Sequence, residues 1–366
     1  MQRFEYVTKG ELRYVDAPMP VLQSDDDAIV QPVVSSTCDL DRAIILGRTP
    51  FKGPFALGHE TVAKVLDVGD NVTHVKPGQL VVVPWHVSCG TCAPCVSGRP
   101  VNCESVPRYA MFGLAIGGDY GGFFSEAVRV PFAGYSLVPV PEGVSARAAA
   151  SVGDNLSDAY GAVAPALRNA PGADVLVIGG TGSMGVFAVA FAKALGASSV
   201  SYVDVIDPEC VELARKLGAE ILGEVPKGRE FRVTLDASGR PDGLYAALRA
   251  AGPAGVCHSY GIPWQDVALP VNSMFMQGVT FTSGRANVRP NIPDVLVAVA
   301  SVERVRVSWA EGLDNRCGTS LAPSFRLSSR RGRRGACAGL GPVRSERRRS
   351  SRRRSTPRAG RPCRRR

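Results

Sequence analysis

The stretch Asp174-Val-Leu-Val-Ile-Gly-Gly180-Thr-Gly182-Ser-Met-Gly185 decides the fold. Residues 174–179 read as a buried strand from their apolar run, and residues 184–196 as a helix with Phe187, Phe191 and Leu195 at i, i+4 and i+8. A lone G-x-G-x-x-G says little. Between a strand and a helix, with a second strand ending at Asp204, it reads as a dinucleotide-binding turn. Gly180 is expected to permit the sharp turn and Gly182 to let the backbone approach a pyrophosphate at the helix N-terminus. Gly185 is expected to let helix and sheet pack tightly. Asp204 follows Gly180 by 24 residues, the place of the acid that accepts hydrogen bonds from the adenosine ribose. No Arg or Lys follows it until Arg215, so NAD is favoured over NADP; an Asp that merely caps the next helix is the alternative.

Downstream, strand and helix texture at 232–237, 244–250, 255–260 and 279–282 extends a doubly wound parallel sheet. Upstream, the first 150 residues read as short strands punctuated by Gly and Pro, at 61–68, 80–84 and 124–130. The expected class is therefore α/β, a β-rich domain followed by a doubly wound sheet. Its expected divisions are 1–155, 156–290, a returning segment 291–302 and an Arg-rich tail 303–366.

In the β-rich part, Cys89, Cys92, Cys95 and Cys103 form C-x2-C-x2-C-x7-C, with Gly90 and Gly98 for tight turns. Four closely spaced thiolates suit a closed tetrahedral zinc site, and an iron–sulfur cluster is the rival. Around this lobe lie Cys38, then Gly58-His59-Glu60, and later Asp154 at the start of a helical stretch 157–166. Singly each is weak: a lone Cys or Gly-His-Glu is commonly structural, and Asp154 could simply cap the helix.

Together, the order and spacing of Cys38, Gly58-His59-Glu60, the four-cysteine lobe, Asp154, the glycine turn and Asp204 resemble the zinc-dependent alcohol dehydrogenases of the medium-chain dehydrogenase/reductase family. The resemblance spans about residues 1–300. It implies a GroES-like catalytic domain carrying two zinc ions and a Rossmann domain carrying NAD, with the active site between them. By that resemblance Cys38, His59 and Asp154 are the protein ligands of a catalytic zinc, and Glu60 approaches the same ion. The lobe cysteines then hold a structural zinc. The implied reaction is hydride transfer between an alcohol, aldehyde or ketone and the nicotinamide, zinc stabilising the alkoxide. Polyol, threonine and sugar dehydrogenases share the scaffold, and a homodimer or homotetramer is implied. The sequence departs from the family's usual proton relay, since Leu40 and Ala43 stand where relatives carry a hydroxyl and an imidazole. Asp39 or Asp41 is a substitute candidate, with Asp41 equally readable as a structural hydrogen-bonding residue. Trp85, Tyr109, Met111 and Phe112 are candidate pocket residues or core packing, and His74, His86 and His258 are read as surface or packing residues.

Composition narrows the class. The 366 residues are 45% hydrophobic and 21% charged, an ordinary globular balance. The apolar run 186–195 is short and interrupted by Lys193, and Met-Gln-Arg-Phe-Glu-Tyr has no apolar signal core, so a cytoplasmic enzyme without a membrane segment is expected. The net charge of +10 divides unevenly: residues 303–366 hold 20 Arg and four acidic residues, so the preceding 302 carry a net −6. That tail reads either as an arm for nucleic acid or an acidic surface, or as a frame-shifted end that leaves an inactive, partly folded product. The second reading is favoured, because the change of composition is abrupt and comes just after an ordinary amphipathic-looking segment, 294–300. Nucleic acid is therefore not an expected partner.

Overall fold

The computed structural model of the chain describes residues 1–180, 182–204, 206–261 and 265–305. The first part contains β1 (Gln2–Thr8), β2 (Glu11–Asp16), β3 (Ala28–Ser36), the helix α1 (Asp39–Ile45), β4 (Phe55–Ala56), β5 (Glu60–Val68) and β6 (Leu80–Val83). It continues through α2 (Ala93–Val96), β7 (Val128–Val130), α3 (Ala133–Ser136) and β8 (Val138–Pro139). These strands form two antiparallel sheets, ordered β2-β1-β4 and β7-β3-β5-β6-β8. Val30, Ala63, Val65, Val81 and Val83 from β3, β5 and β6 pack with Phe112, Phe123 and Leu137 into one core. The β-branched runs supply that packing surface.

The expected strand 124–130 is divided between the two sheets. The Phe124 backbone bonds to Leu57 and Phe4 near the small sheet, and only Val128–Val130 pairs with β3.

The second part is α4 (Asn155–Asn169), β9 (Val175–Ile178), α5 (Met184–Ala194), β10 (Val200–Val203), α6 (Pro208–Lys216), β11 (Glu220–Leu222), β12 (Phe231–Asp236) and α7 (Pro241–Ala250). It ends with β13 (Ala251–Ser259), α8 (Val271–Gln277), β14 (Thr280–Ser283) and α9 (Ile292–Val305). Its six strands are all parallel, in the order β11-β10-β9-β12-β13-β14. The chain runs outward from β9 to one edge and then from β12 to the other, so strand order reverses between β9 and β12. Loops part at that switch point, and the crevice outside the strand ends is where such sheets bind ligands. The glycine turn lies there, directly after β9.

The helix α5 is short of the expected 184–196 by two residues, because Leu195 closes it and Gly196, at φ +85°, turns the chain away. Eight of its eleven residues are buried, among them Gly185, Ala188 and Ala192, and small side chains on that face let it sit close to the sheet and α4. Ile292, Val295, Leu296 and Ala300 of α9 join the same core. The helix runs three residues past the expected boundary at 302. The remaining tail, 306–366, and the readings attached to it lie outside the described residues. No helix among the described residues is long and apolar enough to cross a membrane.

Candidate active site

Cys38 caps its own helix. Its Sγ accepts the Leu40 N–H at 3.3 Å, and its N–H donates to Asp41 Oδ2 at 3.0 Å, a reciprocal box that orients the thiol at the start of α1. His59 follows Gly58, whose φ of +94° is one that glycine adopts without strain; a Cβ there would also strike the Phe124 backbone at 2.9 Å. This turn brings His59 in just before β5 begins with Glu60, so neighbouring side chains reach one cluster. Asp154 stands at the head of α4, held near the end of β6 by the bond from Trp85 N–H to Gly153 O at 3.1 Å. Its side chain makes no capping hydrogen bond, which removes the simple cap reading.

The side chain of Asp154 points elsewhere: Oδ2 lies 3.4 Å from His59 Nε2, and Cys38 Sγ lies 3.1 Å from the same nitrogen. One ligand atom from each of Cys38, His59, Glu60 and Asp154 falls within 4.8 Å of the others. An ion bound tetrahedrally at about 2.0–2.3 Å spaces its ligand atoms about 3.3–3.8 Å apart, so these separations suit a metal. The far ring nitrogen, His59 Nδ1, faces Asp41 Oδ1 at 3.4 Å. A carboxylate behind a ligating imidazole sets the ring's tautomer and orientation. Asp41 is only 1% exposed, so it is placed to orient Cys38 and His59 rather than to pass protons to solvent.

The electrostatics point the same way. Glu60 is fully buried, and Ser151 is the one hydroxyl acting on its carboxylate, whose oxygens find no partner in good hydrogen-bond geometry among the described residues. A bare buried carboxylate costs several kcal/mol, which a divalent cation beside it would offset. Burial, then the Asp154 charge, raises the Glu60 carboxyl well above the usual carboxylate range. Burial pushes the Cys38 thiol up to about 12. At His59 burial opposes the charged form, but the Asp41 and Cys38 anions outweigh it and raise the imidazole. One imidazole thus sits beside a thiol and a carboxyl, Cys38 and Glu60, that retain protons for want of positive charge. A zinc ion would supply it.

The cysteine lobe is built locally. Cys92 Sγ and Cys103 Sγ are 3.8 Å apart, the sulfur spacing of a tetrahedral site, and one atom from each of the four thiols falls within 4.8 Å of the rest. Cys89 Sγ receives Ser105 Oγ at 3.2 Å and the N–H groups of Thr91 and Cys92 at 3.4 Å each. Burial opposes ionisation of Cys89, yet these donors prevail and hold it down at about 5. Burial raises Cys95 and Cys103.

The glycine turn is crowded on its inner side. A Cβ on Gly180 would lie 2.9 Å from Ala237 O and from Ser238 Cα, beyond the end of β12. Gly180 has no positive φ, and this close approach is a reason for glycine there. A Cβ on Gly185 would lie 3.2 Å from Gly179 Cα and Tyr202 Cε2, the close helix–sheet packing expected. A Cβ on Gly182 would overlap the carboxyl of Asp39, so the residue next to Cys38 touches the turn across the crevice. Asp204 is buried after β10: Oδ2 accepts Tyr202 Oη–H at 2.9 Å, and Oδ1 accepts the Ile206 N–H at 2.8 Å and that of Asp207 at 3.3 Å. The cap of α6 is Asp207, not Asp204.

Two matches of family models cover these parts. The alcohol dehydrogenase GroES-like domain matches residues 24–142 and the zinc-binding dehydrogenase domain residues 183–301. The chain belongs to the zinc-dependent alcohol dehydrogenases of the medium-chain dehydrogenase/reductase family. It is an oxidoreductase of that family, whose chemistry uses zinc and a nicotinamide cofactor. It is similar to an alcohol dehydrogenase from Thermus sp. ATN1, at 32% identity with a TM-score of 0.75 over 83% of this chain and 90% of that one. It is 29% identical over 300 residues to the "probable zinc-binding alcohol dehydrogenase" of Mycobacterium tuberculosis, covering 80% of this chain and 76% of that protein. An L-threonine 3-dehydrogenase of Bacillus licheniformis is 29% identical over 282 residues, 72% of this chain and 77% of its own.

The candidate pocket residues separate. Trp85 and Met111 are buried in a cluster with Leu40, Ile44, Leu57 and Phe51, close to the start of α1. Phe112 is core packing of the β-rich part, beside Phe123 at 4.7 Å between ring centroids. Tyr109 is 45% exposed and has φ +70°. Sequence reasoning missed Arg285. Its guanidinium lies 4.7 Å from the Trp85 ring centre and 5.0 Å from that of Tyr109, while Trp85 Nε1–H donates to Ala286 O at 3.2 Å. An Arg 176 and 200 residues from its two aromatic partners leaves no local signal. His86 is 1% exposed with Nδ1 3.3 Å from Ser88 Oγ, and burial, then the nearby Arg285 and Arg289 charges, lowers it to about 3. His74 is exposed and its Nε2 contacts Leu137 O at 3.0 Å; His258 contacts Thr282.

Proposed function

We propose that this chain transfers hydride between a small, largely apolar alcohol and NAD rather than NADP. Cys38, His59 and Asp154 hold the catalytic zinc, with Glu60 as an alternate ligand, and Cys89, Cys92, Cys95 and Cys103 hold a structural one. The observation that carries this reading is the meeting of the two halves. The Cys38–His59–Glu60–Asp154 cluster lies one residue from a side chain that touches Gly182 of the cofactor turn. Zinc supplies Lewis acidity that lowers the pKa of a hydroxyl, and the nicotinamide accepts the hydride.

The chain's own residues do the positioning. Asp41 fixes the Cys38 backbone and the His59 ring. Trp85 and Met111, with Leu40, offer an apolar wall that suits an alkyl or aryl group. Leu40 carries no proton, so the hydroxyl proton leaves by another route than the family's usual hydroxyl at this place. Asp204, held by Tyr202 and two N–H groups, presents negative charge where a ribose 2′-phosphate would come, which disfavours NADP. Threonine, polyols and sugar alcohols are the alternative substrates, and the Bacillus relative supports including threonine in any panel.

A homodimer is part of the same reading. The strand β14 is an edge of the parallel sheet, and the adjoining α8 buries no residue and exposes Val271, Phe275 and Met276. Such an edge favours pairing with a second copy. Reduced thiols in the lobe suit a cytoplasmic setting.

The test is NAD reduction followed at 340 nm over primary, secondary and sugar alcohols and threonine, comparing parent with Cys38→Ala. Activity with NAD that Cys38→Ala abolishes supports the reading; equal activity in the two proteins contradicts it.

A further inference from the structure

Gly182 is expected to leave open the space in front of the turn, where a pyrophosphate meets backbone N–H groups at a helix N-terminus. That space is filled from the other side of the crevice. The Asp39 carboxyl packs against Gly182 so closely that a Cβ on Gly182 would overlap it. Asp39 is the first residue of α1, and its backbone is fixed by the capping box of Cys38 and Asp41. The charges around it are mixed: Arg42 opposes its negative charge, while Asp41 and Asp207, the cap of α6, add to it.

We propose that Asp39 is a cofactor-affinity determinant of the opposing kind: its carboxylate occupies the pyrophosphate's approach to Gly182, so NAD(H) binds by displacing it and against its charge. This rests on the glycine turn being the dinucleotide site. Two like charges within about 4–6 Å in a partly buried crevice repel by more than an order of magnitude in binding constant. In the free protein the same side chain packs against Gly182 of the glycine turn.

The probe is NADH, titrated by its own fluorescence at pH 8 into the zinc-loaded full chain. The proteins are the parent, Asp39→Asn, which removes the charge but keeps the shape, and Asp39→Gly, which removes both. The proposal expects Asp39→Asn to bind NADH about tenfold more tightly and Asp39→Gly at least as tightly. It also expects parent binding to strengthen relative to Asp39→Asn as salt rises from about 20 to about 300 mM, because screening weakens a repulsion. A residue with only a structural role would not produce that salt difference. Binding that is unchanged or weaker in both variants, with zinc content and melting temperature retained, overturns the proposal and leaves the dinucleotide site standing. If none of the three binds NADH at millimolar concentration, the reading of the turn itself falls, and the proposal with it.

Discussion

The two clusters of this chain that could hold a metal ion are built in opposite ways. The lobe takes its four thiols from residues 89–103, turned by Gly90 at φ +79° and Gly98 at φ +78°, and surrounds the sulfurs with N–H and O–H donors from the same loop. The second cluster takes its ligands from α1, the lead-in to β5 and the head of α4, so Cys38 and Asp154 are joined only by the tertiary fold. Donors already stabilise thiolate at Cys89. At Glu60, two orphaned oxygens wait for a cation. A locally closed site can form and hold its metal as part of folding, whereas a gathered one leaves its ligands strained for charge until the metal arrives, which is a state suited to an open, reactive ion.

Exchanging the damage between the clusters breaks this comparison most severely. Cys38→Ala is expected to lower the alcohol-dependent rate about a thousandfold or more while leaving the melting temperature near that of the parent. Cys103→Ser is expected to do the reverse in kind, lowering the melting temperature by roughly 5 °C or more through loss of a folding-coupled metal. Rate assays and thermal unfolding on both variants check the pair, and equal melting temperatures for parent and Cys103→Ser would remove the structural role.

Asp41 sharpens the contrast. Asp41→Asn is expected to weaken zinc at the gathered cluster by about 10–100-fold without affecting the lobe, since the carboxylate bonds to Cys38 N–H and faces the His59 ring. Competition with a chromogenic chelator resolves the two zinc ions and checks this.

A smaller effect lies one turn beyond Asp154. Burial, with the Asp154 charge adding to it, pushes the Asp158 carboxyl up to about 8. The folded state therefore holds a proton that the unfolded chain has released above pH ~4. Stability from this group is fully present below that value and is lost as pH rises through about 8. Asp158→Asn is expected to flatten that decline, on the order of a few kcal/mol at most, in melting temperatures recorded from pH 5 to 9 (roughly the window set by the two values). A decline as steep as the parent's would show that Asp158 is not its source.

The same contrast explains what the sequence disclosed. The strand, glycine turn and helix of 174–194 are one continuous segment whose hydrophobic period changes from run to face, and the lobe is a spacing rule, so both are legible from neighbours in the chain. Cys38, His59 and Asp154 were legible only as an ordered set that resembles a family. What stayed hidden depends on contacts between distant residues: Asp39 against Gly182, Arg285 over Trp85, and Asp41 behind His59. The close packing at Gly180 was hidden for the same reason, because it comes from Ala237 and Ser238 beyond the end of β12.

Zinc per chain, measured by elemental analysis on freshly purified parent, Cys38→Ala and Cys103→Ser, tests the central claim most directly. The account predicts two ions in the parent and one in each variant. A parent with a single ion that Cys38→Ala retains would contradict it, because the gathered cluster would then hold no metal.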